Sequence, residues 1–303
     1  MKDELPACSE AVLDIISLWA PHAVPVAHIV NVCEIFGYTG NSVRVTLHRL
    51  TNRGTLENLR VEGRTLYGFA PQTARLNRHV RAASSLRSRE VWDGRWLQLL
   101  ISIPEKQRGA RQRIRRALGV FHFGSPYRGV WTRPNNLPMT PASLRRELVS
   151  LGAAGSLDIL LSSFCEVGRE AELVESLWQP KIRARALQKG VRRVEKSLAN
   201  LARKSEKAAL ADTFATSRIA VRLLFDDPLL PDEFLPRQWP GYALRSRFAE
   251  FRQVSGKLWA DYVRHEPGSA GLDSSHLRSA FDDVVFTASL PDYGLGIWDG
   301  AGG

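Results

Sequence analysis

Nine hydrogen-bonding side chains and one valine between residues 41 and 64 are spaced so that they could contact nucleic acid. Residues 38–67 contain five arginines and two glutamates, so this stretch is basic. Arginine, histidine, asparagine and serine hydrogen-bond to base edges and phosphates from the major groove. The alternative interpretation is a polar helix with solvated arginines. The predicted DNA contacts are Asn41, Ser42, Arg44, Val45, His48, Arg49, Asn52, Arg53, Arg60 and Arg64.

Helical periodicity predicts that most of these side chains share one face. An apolar stripe of Val43, Leu47 and Leu50 follows a turn at residues 37–41, and Asn41 or Ser42 is expected to cap the helix. The side opposite that stripe carries Val45, His48, Arg49 and Asn52, with Arg44 and Ser42 on its flanks and Asn41 just before it. On this face we expect Arg44, His48 and Arg49 to read bases, and Asn41 and Ser42 to position phosphate.

Two earlier helices and a two-stranded ribbon complete the predicted domain. The first helix is expected to begin at Ser9 as its cap and to end at Pro21, and the second to run from Val26 to Phe36. Residues 55–61 and 64–69 flank Glu62-Gly63, which is typical of a ribbon with a tight turn. Arg64 is expected to follow the minor groove or the backbone. These elements predict a winged helix-turn-helix over residues 1–75, followed by a linker over 76–90.

The other chemistry-bearing residues lack the spacing of a catalytic or metal site. The seven histidines include no pair at ligand spacing with a cysteine or carboxylate. The three cysteines are too far apart in sequence to form a disulfide framework or a metal site among themselves. We therefore expect a protein of the reducing cytoplasm with no metal, no cofactor and no enzymatic activity.

The overall charge predicts a polyanionic partner. Lys and Arg number 42 against 31 Asp and Glu, which gives a net charge of +11, whereas the 44% hydrophobic content is that of an ordinary globular protein. No apolar stretch approaches the eighteen or so residues of a spanning helix. Basic residues between 181 and 207 leave a membrane-surface adaptor as an alternative, but that segment has no tryptophan or phenylalanine on its apolar face.

The middle of the chain alternates strands and helices. Leu97–Ile103 and Leu157–Cys165 are expected to be strands, as are the short runs 121–123 and 129–131. Helices are expected over 108–119 and 141–152. The order β, α, β, β, α, β predicts a ferredoxin-like (βαββαβ) domain over residues 91–176, within a chain of the α+β class.

The last part is expected to be mainly helical over residues 177–265, followed by a C-terminal extension over 266–303. A basic helix begins near Lys181, and Gly190 is a weak point within it. Its basic face is either solvated or a contact for DNA or effector phosphate. The proline-rich stretch 226–241 ends a helix and predicts a rigid docking loop anchored by Leu229, Leu230, Phe234, Leu235 and Trp239.

The sequence resembles the PaaX-type transcriptional repressors of aromatic catabolic operons. The resemblance extends to about residue 262 and depends on Ser42-Val43-Arg44 with Leu47, Arg49 and Leu50, on Gly63-Arg64 with Tyr67, and on three later motifs. These are Trp92-Asp93-Gly94-Arg95-Trp96, Asp227-Pro228-Leu229-Leu230-Pro231 and Trp239-Pro240-Gly241. The family's His-Glu-Tyr-Arg-Arg-like run is replaced here by Ala220–Leu224, which leaves Arg218 and Arg222 as cations.

The resemblance implies a homodimer that binds double-stranded operator DNA and releases it when a small-molecule effector binds. The implied effector is an aromatic acid or its coenzyme A thioester, and a thioester needs a cationic cleft with ring contacts. Alternatively, the tryptophans are core residues and the arginines are solvated. The predicted effector contacts are Arg95, His122, Arg128, Trp131, Arg133, Trp178, Arg218 and Arg222.

The resemblance also raises a metal-dependent nuclease as an alternative function. The central domain of the family is similar in fold to small CRISPR-adaptation nucleases, which carry an acidic residue at the end of the first strand. Here that position reads Ile101-Ser102-Ile103-Pro104, and only Glu105 follows. A single carboxylate is a poor metal site, so catalysis is not expected.

Overall fold

The computed structural model describes residues 6–71, 73–74, 91–102, 108–136, 140–150, 157–166 and 168–273. The fold is mixed α+β, and the chain divides into two compact units. The first unit comprises residues 1–84, 187–225 and 240–303, and the second comprises residues 85–186 and 226–239. The chain therefore passes repeatedly from one unit to the other.

Three helices begin the first unit: α1 (Cys8–Trp19), α2 (Val26–Ile35) and α3 (Gly40–Asn52). The predicted positions of these helices are confirmed, and Val43, Leu47 and Leu50 are fully buried. The predicted caps are wrong. Ala7 occupies the N-cap position of α1, and Thr39 caps α3 by accepting a hydrogen bond from the Ser42 amide at 3.2 Å. A side chain just before the first turn is the one that can reach these free amides.

The predicted ribbon forms as β2 (Leu56–Val61) and β3 (Arg64–Phe69), which pair antiparallel with Val61 opposite Arg64. Both turn residues have positive φ, 49° at Glu62 and 76° at Gly63, as a tight two-residue hairpin turn requires. A two-residue strand, β1 (Val24–Pro25), pairs with β3 and was not predicted. Two residues are too few for a period-two pattern to be detected.

The sheet of the second unit has the order β5-β6-β4-β7, with every neighbouring pair antiparallel. The strands alternate with helices in the predicted order. The prediction of a strand at residues 121–123 is wrong. These residues form a turn after a helix, and the strand begins at the next residue. Phe121 and Phe123 are nevertheless buried, which explains their alternating pattern. The bounds are β4 (Trp96–Ile101), α4 (Arg108–Val120), β5 (Gly124–Tyr127), β6 (Val130–Pro134), α5 (Pro141–Ser150), β7 (Leu157–Ser162) and α6 (Arg169–Trp178).

Three long helices follow: α7 (Pro180–Asn200), α8 (Glu206–Phe225) and α9 (Pro240–His265). The helix α7 continues without a break through Gly190, which packs against side chains of α8 and α9. A Cβ at this position would lie 2.5 Å from Leu223 and 3.2 Å from Leu244. A methyl group at this position would therefore require the Leu223 side chain to move, because the interior is closely packed.

The predicted docking loop lies in the second unit, between α8 and α9 in sequence. Leu230 is fully buried in a cluster with Trp96 and Trp178, and the Phe234 ring lies 4.9 Å from the ring of Trp92. The Asp227 carboxylate accepts hydrogen bonds from the Leu229 amide and from the indole of Trp239. The proline-rich stretch and the first tryptophan motif therefore form one packed cluster.

Candidate nucleic-acid interface

The predicted reading face of α3 is exposed. Nine of the ten predicted contact residues are exposed, and Ser42 is half-buried. The three apolar residues on the opposite side of α3 have no exposed surface, so this helix has one buried side and one polar side. A 13-residue helix is about 20 Å long, which suits a major groove.

Local contacts restrain three of the predicted side chains. The Ser42 hydroxyl donates to the Thr39 carbonyl at 2.8 Å, so it helps to stabilise the first turn of α3. The Asn52 amide lies 3.3 Å from the ring nitrogen of His48, one turn away on the same face. These contacts hold polar groups on the exposed side of the helix.

The ribbon presents both cationic and apolar side chains. Arg60 and Arg64 are exposed, and Leu59 and Val61 expose 46% and 50% of their surface, respectively. Val45 on α3 exposes 60%. We call these exposed side chains of α3 and the ribbon the α3–ribbon surface. Arg64 donates a hydrogen bond from Nη1 to the carbonyl of Ala270 at 2.9 Å, a contact that the sequence analysis did not predict.

A buried ion pair links α8 to α1. Arg218 donates from Nε to Asp14 at 2.5 Å and from Nη2 to Glu10 at 2.8 Å, and the Asp14 side chain is fully buried. Because α1 packs on α3, this pair connects a C-terminal helix to the three-helix group. The guanidinium of Arg218 is thus occupied by two carboxylates.

The start of the C-terminal extension packs on α2. The carboxylate of Glu266 contacts the ring of His28 at 3.1 Å, and it accepts hydrogen bonds from Asn31, from the Gly268 amide and from the Ser269 hydroxyl. Burial opposes ionisation, but the hydrogen bonds from His28, Ser269 and Asn31 outweigh it and lower the pKa of Glu266 to about 2. No sequence pattern predicts this contact, because the partners are more than 230 residues apart.

The predicted effector contacts do not all lie in one unit. Six belong to the second unit, whereas Arg218 and Arg222 lie on α8 in the first. Within the second unit Arg95 and Arg128 are exposed, and Arg95 pairs with Asp93 at 2.6 Å. Trp131 is half-buried, and the buried indole of Trp178 donates to the half-buried His122 at its carbonyl.

Arg133 is a fully buried cation. Its guanidinium donates to the carbonyls of Phe121 and Pro228 and to the Asn136 side chain, and its Nε donates to Pro134. Every acceptor recorded for it within the described ranges is neutral, and burial lowers its pKa to about 9. It lines a cavity of about 10 Å³, roughly the space for one water molecule, together with Leu97, Phe121, Phe123, Pro134, Asn135 and Leu144.

Within the described ranges, no three histidine, cysteine or acidic side chains are grouped so that they could hold a metal ion. Glu105 lies outside those ranges. In the same part of the chain, no helix is both long and apolar enough to cross a membrane.

Three family descriptions match consecutive parts of the chain. They are the PaaX-like protein over residues 14–72, the PaaX protein central Cas2-like domain over residues 89–174, and the PaaX-like protein C-terminal domain over residues 182–264. The transcriptional repressor PaaX of Escherichia coli (strain K12) is 23% identical over 219 residues, which cover 70% of this chain and 68% of that protein.

A solved structure supports the likeness at the level of fold. An uncharacterized protein from Mycobacterium tuberculosis matches with a TM-score of 0.52 and 23% sequence identity, over 80% of this chain and 94% of that chain. The family matches extend over the three-helix group, the second sheet and the long C-terminal helices. The chain belongs to the PaaX family.

Proposed function

We propose that this protein is a sequence-specific transcriptional repressor that binds operator DNA through a winged helix-turn-helix. In this proposal α3 enters the major groove and the ribbon contacts the backbone beside it. The observation that carries the proposal is the two-sided character of α3, which is fully buried at Val43, Leu47 and Leu50 and exposed along its polar face. The match to a repressor of the same family is consistent with it.

The proposed reader acts as a homodimer in the cytoplasm. A single winged helix contacts a short half-site, and a two-fold pair doubles the contacts and adds the constraint of half-site spacing. The ion pair of Arg218 with Asp14 and Glu10 supports rigid attachment of α8 to the DNA-reading helices. Such attachment would let a change in the C-terminal helices alter the position of α3.

We propose that the second unit has a ferredoxin-like arrangement and responds to a small-molecule effector, an aromatic acid or its coenzyme A thioester. The strand order β5-β6-β4-β7, with one helix between β4 and β5 and another between β6 and β7, supports the arrangement. Arg133 supports the response through its packing and not through direct contact with the effector, because the cavity beside it has a volume of only about 10 Å³. Its hydrogen bond to Pro228 and that of Asn136 to Leu229 also place it against the docking loop.

Effector release of DNA then requires different affinities for two states. An effector that binds the DNA-competent and the DNA-incompetent forms with equal affinity does not change the ratio of the two forms. The docking loop is the stretch of the second unit that lies in sequence between α8 and α9, so a shift at Pro228 or Leu229 would be transmitted along the chain to both helices. We propose this loop as the path of the response.

The experiment that tests the function is a mobility-shift titration of the full chain on its own promoter and on a scrambled duplex of the same length. The proposal expects a tighter complex with the promoter, a strong decrease with added salt, and intact DNA after incubation with Mg²⁺ or Mn²⁺. Equal affinity for the two duplexes contradicts it. Cleaved DNA would instead favour the nuclease, and binding to anionic liposomes without DNA binding would favour the membrane adaptor.

A further inference from the structure

The C-terminal extension begins beside the α3–ribbon surface. Glu266 fixes it to α2 through His28 and Asn31, and the Gly268 backbone lies so close to α2 that a Cβ there would be 2.9 Å from Ala27. Four residues after Glu266, the Ala270 carbonyl accepts the hydrogen bond from Arg64. The described part of the extension therefore ends, at Asp273, three residues beyond a contact with the ribbon.

The α3–ribbon surface has an unusual composition for a surface in water. Its exposed arginines alternate with the exposed apolar side chains Val45, Leu59 and Val61. An arginine-rich surface attracts carboxylates, and exposed valine and leucine favour apolar contacts. A segment that is both acidic and apolar would satisfy both requirements.

The remaining sequence of the extension contains such a segment. Residues 274–303 carry Asp282, Asp283, Asp292 and Asp299 against a single arginine, Arg278. The run Phe281-Asp282-Asp283-Val284-Val285-Phe286 combines two adjacent carboxylates with four apolar side chains. Seven residues lie between Asp273 and Phe281, so the two are eight Cα–Cα steps apart, and at roughly 3.3 Å per step the chain reaches about 26 Å. This is enough to extend from the ribbon contact across a small domain.

We propose that the run 281–286 binds the α3–ribbon surface of its own chain and competes with DNA for it. The inference rests on the proposed function, because it takes this surface to be the DNA-reading one. Asp282 and Asp283 take the place of phosphates beside the arginines, and the phenylalanines and valines cover the exposed apolar side chains. A tethered competitor acts at an effective concentration near millimolar, so even a weak contact lowers the apparent DNA affinity.

The test compares full-length variants in their binding to a random-sequence duplex and to the promoter. Asp282→Asn with Asp283→Asn is expected to tighten binding to the random duplex at least fivefold, because it removes both competing charges. Phe281→Ala with Phe286→Ala is expected to do the same by removing the apolar contact. The matched control, Asp292→Asn with Asp299→Asn, changes the net charge equally and is expected to alter binding less than twofold.

Other outcomes overturn the inference. Equal tightening by the control pair would show a general charge effect instead of a specific contact. No tightening by either test pair, while the wild-type chain still prefers its promoter, overturns the inference and leaves the proposed function standing. Tightening that depends on protein concentration would assign the competing run to a second copy instead of the same chain. If no variant binds DNA, the proposed function itself fails.

Discussion

Arg218 and the fully buried Asp14 form an ion pair at 2.5 Å across a sequence separation of 204 residues. Arg218 belongs to α8, and Asp14 lies in the middle of α1 with no exposed surface. A buried carboxylate without a compensating cation lowers the stability of the folded protein, so Asp14 requires the charge of Arg218. The pair joins α8 to α1 within one compact unit, which also contains α2 and α3.

We expect Arg218→Met to destabilise the protein by about 3 kcal/mol, because it leaves Asp14 buried without its cation. Chemical denaturation followed by circular dichroism measures the change as a lower midpoint. Arg222→Met, on the exposed surface of the same helix, is the control and should change stability by less than about 0.5 kcal/mol. Equal midpoints for Arg218→Met and wild type would show that the ion pair does not contribute to stability.

Gly190→Ala should also be destabilising, by about 1–3 kcal/mol, because its Cβ would lie 2.5 Å from Leu223. Alanine normally favours a helix interior over glycine, so the sign of this effect distinguishes close packing from helix propensity. Combining it with Leu223→Ala should make the cost smaller than the sum of the two single changes. Urea titration of the three variants measures the coupling. Stabilisation by Gly190→Ala alone would contradict the crossing geometry.

Glu266 should contribute an acid-sensitive part of the stability. Its pKa in the folded protein is about 2, below the usual 4.5, so its contribution is complete above pH 4.5 and is lost as the pH falls toward 2. We expect Glu266→Gln to lose about 2 kcal/mol at pH 6 and to differ little from wild type near pH 2. Thermal unfolding across this range, with the exposed Glu250→Gln as control, measures the difference. A constant difference at all pH values would exclude the titration of Glu266 as the cause.

For DNA recognition, Arg49→Ala is expected to lower the preference for the promoter over a scrambled duplex by about 1–3 kcal/mol. Arg64→Ala should instead weaken binding to both duplexes and reduce the salt dependence, because a backbone contact carries no sequence information. Mobility shifts over a salt series separate the two effects. If Arg49→Ala weakens both duplexes equally, it does not read bases.

For the effector response, Arg133→Lys should weaken operator release at least tenfold, or about 1.4 kcal/mol, because lysine lacks the fork of donors that holds Phe121 and Asn136. Arg145→Lys, at an exposed position of the second unit that is not among the predicted effector contacts, is the matched control. Operator release over a panel of aromatic acids and their coenzyme A thioesters measures the response. Release by free acids without release by thioesters would contradict a phosphate-binding role for Arg95, Arg128 and Arg222.

Local sequence was enough to predict the helices and the ribbon of the first unit. The spacing of Val43, Leu47 and Leu50 is set by the helix period, and the Glu62-Gly63 turn is set by backbone sterics, so neither depends on distant residues. The docking loop could also be predicted from local sequence, because closely spaced prolines restrict the backbone locally. The strand predicted at residues 121–123 is wrong. Two phenylalanines separated by one residue can be buried from a strand or from a turn that packs on the core.

Only the tertiary structure decided which distant groups meet. The pairs Arg218 with Asp14 and Glu266 with His28 join residues more than 200 positions apart, and no local pattern encodes such a partner. Composition suggested that Arg133 and Arg95 were similar cations, yet Arg133 is fully buried and Arg95 is exposed beside Asp93. Burial follows from how strands and loops pack around a residue, and packing is a property of the whole fold. The sequence by itself determined the local elements and the basic character of the predicted α3 face, and tertiary packing decided which cations are buried and which are exposed.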